Sequence, residues 1–130
     1  MSTDSLLKDN MSSFTLGKKK IRRFYFSNVQ QMDSICVPNG VEEIEAYAFA
    51  NCRNLRIVYL PKSIRCIDKE AFYGCAHLQK IVLDRNAPPT LLQTTEPFGS
   101  MKNVKICVPQ SSWKNYMKHP VWSKFQLAGF

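Results

Sequence analysis

A 23-residue periodicity restricts the fold of this chain more than any other feature of its sequence. A shift of 23 places lays Val37-Pro38 on Leu60-Pro61, Val41 on Ile64, Ile44 on Ile67, Ala48-Phe49 on Ala71-Phe72, Cys52 on Cys75 and Leu55 on Leu78. The same step lays Val58 on Ile81 and Leu60 on Leu83 without a gap. Self-similarity at a fixed period of this size marks a repeat architecture, in which one unit cannot bury its apolar face and stacked units share a core. One step upstream, Ile21 falls under Ile44, Phe26 under Phe49, Asn28 under Asn51, Val29 under Cys52, Met32 under Leu55, Ile35 under Val58 and Val37 under Leu60. Downstream the register breaks at Asn86-Ala87-Pro88-Pro89-Thr90. It recovers with insertions, Phe98 taking the Phe72 place and Ile106-Cys107-Val108-Pro109 that of Val58-Tyr59-Leu60-Pro61. The expected division is a flexible tail (1–14), a degenerate first repeat (15–37), two clear repeats (38–83) and an irregular terminal repeat with a cap (84–130). Three to four coils is close to the minimum that buries a continuous core.

Within a unit, Leu55 to Leu60 ends in the alternation of a half-buried strand, and Pro61, which has no amide to donate, stops its ladder. A second extended piece is expected at Ile64 to Ile67, then a single helical turn from Asp68 to Phe72 with Asp68 as its cap. Gly74 suits a tight exit, a place that Asn51 holds one unit earlier. Stacked units lie roughly 4.8 Å apart, the spacing of adjacent strands.

The pattern Ile44, Ala48-Phe49, Cys52, Leu55, Val58, Leu60-Pro61, echoed by Ile67, Ala71-Phe72, Cys75, Leu78, Ile81 and Leu83, resembles the BspA-like leucine-rich repeats. The tail is similar to a terminal coil of such proteins in Pro88-Pro89-Thr90, Val108-Pro109, Tyr116 and Trp122. The resemblance implies an α/β repeat solenoid: a short right-handed coil with a parallel strand ladder and short helical turns, capped at its C-terminus. It also implies a non-catalytic interaction or adhesion module, in a family known chiefly from surface proteins of anaerobic bacteria and some protists.

Charge and cysteine usage narrow the rest. Of the net +8, residues 1–32 and 84–130 each supply +4, and residues 33–83 are neutral, so no basic surface runs the length of the molecule. The five cysteines (Cys36, Cys52, Cys66, Cys75 and Cys107) form no C-x-x-C pair, and only His77 and His119 could join them in a zinc site. An odd, dispersed set points to reduced thiols, whereas the resemblance implies a cell-surface or secreted protein. The first residues lack the basic and apolar regions of a signal peptide, and no apolar run reaches the ~18 residues of a membrane span. No nucleophile, metal or phosphate-loop motif occurs, so no catalytic residue, metal or cofactor is expected.

What the pattern offers is surface. Residues alternating with the core positions of the main strand point outward in two columns, Ser34, Ile57, Lys80 and Lys105 beside Cys36, Tyr59, Val82 and Cys107. The second column is apolar with Tyr59 at its centre, as expected of a face that binds a protein or glycan, or a second copy of the chain. The alternative is a basic nucleic-acid or intracellular scaffold surface at Lys18, Lys19, Lys20, Arg22 and Arg23, beside Phe24-Tyr25-Phe26. Against it, Ile21 and Phe26 fall on core positions and leave the charges as the solvated outside of the first coil. Cys52 and Cys75 share one column, where a small buried apolar side chain fits. Trp113, Tyr116, Trp122 and Phe125 are expected to close the C-terminal end of the core.

Overall fold

The computed structural model describes residues 19–68, 70–92 and 104–130. Its strands form two parallel ladders. The first holds β1 (Lys20–Ile21), β3 (Glu43–Ile44), β5 (Cys66–Asp68) and β7 (Thr90–Leu92), in that order. The second holds β2 (Ser34–Cys36), β4 (Ile57–Leu60), β6 (Lys80–Leu83), β8 (Lys105–Val108) and β9 (Gln126–Gly129). From β1 to β8 the chain alternates between ladders, so each rung lies beside its counterpart one repeat away. The fold is a short repeat solenoid of stacked parallel rungs.

The sequence offset reappears as register. Ile21 pairs with Ile44 and Ile44 with Ile67 in the first ladder. Ile35, Val58, Ile81 and Ile106 form one line across the second. Beyond Asn86 the ladders continue through the insertions: Cys66 pairs with Thr90 and Ile81 with Ile106, one and two residues beyond the repeat length. Two features differ from the sequence expectation. The second extended piece is a full ladder of its own, and β9 adds a fifth rung to the other. The expected 1–14 tail, the start of the first repeat and Phe98 lie outside the described residues.

Glu70 to Phe72 form turns rather than the expected helical turn, as do Ala46 to Ala50 one repeat earlier. Alternate amides of that earlier arc bond to different places. Ala48 and Ala50 donate three residues back, to Glu45 and Tyr47, closing tight turns. Tyr47, Phe49 and Asn51 donate instead to Glu70, Ala71 and Tyr73 of the next coil. A helix would direct every amide back along its own axis; stacking claims every second one. Asp68 still caps, its carboxylate accepting the Glu70 amide at 3.0 Å, but over a turn. Each arc exits through a left-handed residue, Asn28 (φ 61), Asn51 (φ 60) or Gly74 (φ 76), a conformation that asparagine tolerates and glycine adopts freely. At Gly74 a Cβ would also collide with the Asn51 carboxamide.

The core lies between the ladders and under the arcs. Phe26, Phe49 and Phe72 stack along it with centroids 5.4 and 5.2 Å apart and rings within 11° of parallel. At the C-terminal end come a 3-10 turn (Gln110–Ser112), the helix α1 (Trp113–Lys118) and a second 3-10 turn (Trp122–Lys124). Tyr116 and Trp122 are fully buried there, Phe125 packs against the core and Trp113 is half-buried. Each buried polar tip is satisfied: the Tyr116 hydroxyl donates to the Arg85 carbonyl and the Trp122 indole N–H to that of Pro89, both at 2.8 Å. This is the cap that the terminal aromatics led us to expect.

Candidate interaction surfaces

Alternation along β4 and β6 sends Val58, Leu60, Ile81 and Leu83 into the core and leaves the intervening residues outside. Register then aligns the outer residues across strands. Ser34, Ile57, Lys80, Lys105 and Gln126 make one line; Cys36, Tyr59, Val82, Cys107 and Ala128 make the other. Both expected columns therefore exist as contiguous lines, each longer by one residue from β9. Tyr59 is 40% exposed at the centre, with half-buried Ile57 and Val82 beside it. The lines change character along the stack, from apolar near Ile57 to basic at Lys80 and Lys105.

The basic run sits on the first ladder. Lys18 lies outside the described residues; Lys19, Lys20, Arg22 and Arg23 are exposed. Lys20 faces Glu43 at 3.3 Å, and Glu42 lies 3.7 Å from both Lys19 and Arg65. Such exposed pairs contribute little stability, about 0–1 kcal/mol, but they oppose two of these cations with carboxylates from the next coil.

Cys52, Cys75 and both histidines serve the fold. Cys52 and Cys75 are buried, and each thiol donates to a phenylalanine carbonyl one coil earlier, that of Phe26 or Phe49, at 3.1 Å. The Cys52 sulfur beside it, and then burial, hold the Cys75 thiol far above its ordinary range. All five cysteines are free. His77 Nδ1 meets the Arg53 carbonyl at 2.7 Å, as Asn54 one repeat earlier meets that of Gln30. His119 Nδ1 accepts the amides of Val121 and Trp122, capping the last 3-10 turn. Among the described residues no three His, Cys, Asp or Glu side chains are grouped to hold a metal ion. Nor is any helix among them long and apolar enough to cross a membrane.

One surface escaped the sequence reading. On the arc side Phe24 stacks on Tyr47 with centroids 5.5 Å apart and rings 6° from parallel, and Tyr73 meets Tyr47 edge-on at 5.8 Å. Phe24 and Tyr73 are 56% and 57% exposed. Hydrogen bonding to the Glu70 carboxylate, with desolvation adding to it, raises the pKa of the Tyr47 phenol. A pocket of about 240 Å³, lined by Lys20, Arg23, Glu43, Glu45 and Asp68 over Ile44 and Ala46, meets the ridge through Arg23 and Ala46, the chain neighbours of Phe24 and Tyr47. Phe24 and Tyr47 are one repeat apart, a spacing that could have shown half of the ridge.

A family model, the BspA type leucine-rich repeat region, matches residues 5–115 in six copies. No curated protein matches the sequence. Leucine-rich repeats of this kind are in general non-enzymatic and point to a protein-interaction module. The match spans most of the chain and agrees with the repeat register of both ladders, so the chain belongs to the BspA-type leucine-rich repeat family.

Proposed function

We propose that this chain binds a protein partner through the outer face of its second ladder and performs no chemistry there. The partner contributes an apolar patch over Ile57, Tyr59 and Val82, and acidic side chains opposite Lys80 and Lys105. The observation that supports this reading most is the unbroken outward line Cys36–Tyr59–Val82–Cys107–Ala128 across the five strands of the second ladder. Contiguous apolar surface rimmed by polar residues tends to mark interaction sites, and aromatic side chains at the centre of an interface carry much of its energy. The charge-balanced middle of the chain and the basic residues at its C-terminal side give such a face a direction, apolar first and basic last.

Affinity capture with the folded chain tests it, read against two variants. Tyr59→Ala is expected to weaken capture of the partner by at least about tenfold, as loss of an interface anchor does. Lys80→Glu is expected to slow association and to reduce its dependence on salt. A partner retained equally by wild type and both variants would remove the second-ladder face from consideration.

A further inference from the structure

We propose a second binding site on the arc side of the coils, where the exposed ridge Phe24–Tyr47–Tyr73 borders the polar pocket, and that its ligand is a neutral sugar unit of a β-linked oligosaccharide. This site is separate from the second-ladder face and does not depend on a protein binding there. Four observations converge on it.

The ridge is apolar and open: Phe24 and Tyr73, its two ends, are each more than half exposed. It is also held against backbone preference. Phe24 and Tyr47 adopt φ 63 and φ 61, a left-handed conformation that bulky side chains rarely occupy. Both rings lie outside the core cluster, so packing of the interior does not require them there. Backbone strain of this kind clusters at functional sites.

The pocket supplies the third and fourth. At about 240 Å³ it falls below the usual range for a wholly enclosed small molecule, so it suits one unit of a longer chain. Its charges are mixed: Lys20 is paired with Glu43 at 3.3 Å, leaving Arg23 with Glu45 and Asp68. A polyanion would meet three carboxylates at the pocket, and a cationic ligand would approach a chain of net charge +8. A neutral polyhydroxylated ring meets neither obstacle. Its hydroxyls find carboxylate acceptors and guanidinium or ammonium donors, and the flat C–H face of a β-linked hexose lies on an exposed end ring of the ridge, Phe24 or Tyr73.

The test is calorimetric titration of the full chain with cellotetraose and with chitotetraose, two neutral β-linked probes. We expect binding of at least one, unchanged between about 50 and about 500 mM salt because no net charge is neutralised. We expect Tyr73→Ala and Glu45→Gln each to weaken it about tenfold or more, Tyr73→Phe to retain it, and Tyr59→Ala to leave it unchanged. Tyr73 and Glu45 lie outside the core, and circular dichroism checks that both variants fold. No heat with either probe, or binding indifferent to Tyr73→Ala, overturns the proposal. Salt-sensitive binding of a lysine-rich peptide in preference to both sugars would also overturn it, assigning the pocket to a protein cation.

Discussion

Phe49 is the middle ring of three, so both of its faces are covered, by Phe26 at 5.4 Å and Phe72 at 5.2 Å. Phe49→Ala would leave a hole that the fixed spacing of the ladders cannot collapse to fill. It is expected to destabilise the protein by about 3–5 kcal/mol, and Phe49→Leu by clearly less. Urea unfolding of the two variants measures this, and near-equal losses would mean that the stack contributes only bulk hydrophobicity. Tyr116 gives a pH dependence. Burial holds its phenol well above the ordinary tyrosine value of 10.0, with Arg85 opposing weakly. The folded state therefore keeps a proton that the unfolded state releases first, so stability is complete below about pH 10 and falls as pH rises further. Tyr116→Phe should show a shallower alkaline loss, offset at neutral pH by about 1 kcal/mol for the missing hydrogen bond to Arg85. Thermal melts across that pH range test the sign. A variant as alkali-sensitive as wild type would place the titrating group elsewhere.

At the scale of the element, the C-terminal cap is the part whose loss should spread least. Trp122→Phe removes the indole N–H bonded to Pro89 and leaves that carbonyl without its donor, at a cost of about 1–3 kcal/mol. Amide exchange should then accelerate in β8 and β9 while β4 stays protected, because each coil contacts only its neighbours. Uniform acceleration would show instead that the stack opens as one unit. The elements were unequally legible in the sequence. β4 and β6 were plain, since the period-2 pattern and the terminal proline are local signals. The arcs misled: Asp68-Lys69-Glu70-Ala71-Phe72 has the residues of a helical turn, but in the arc one repeat earlier the neighbouring coil takes the amides of Tyr47, Phe49 and Asn51, a demand invisible within one unit. β9 was hidden behind helical signals at Trp113 to Phe125. It forms because β8 offers an open edge, which is a tertiary fact.

For the whole molecule, position in the stack should order stability more than composition does. Rungs β4 and β6 are paired on both sides, whereas β9 is paired on one side only among the described residues. Hydrogen exchange is accordingly expected to be slowest in β4 and β6 and fastest in β9, and equal protection throughout would contradict an additive, neighbour-coupled stack. The same long-range order explains what the periodicity could and could not reveal about surfaces. Both strand-face columns followed from alternation plus a fixed offset, and the register reproduces them. The aromatic ridge did not follow, because Tyr73 stands three residues away from the place equivalent to Tyr47, and because left-handed residues turn side chains off the expected face. Finally, the ladders keep their pairing although the chain gains one residue before Thr90 and two before Lys105. Alignment is thus dictated by which side chains enter the core, not by the length of the connections. Foreign loops spliced between Leu92 and Val104 should therefore be carried without disturbing the rungs on either side, which makes this small stack a frame for display as well as a binder.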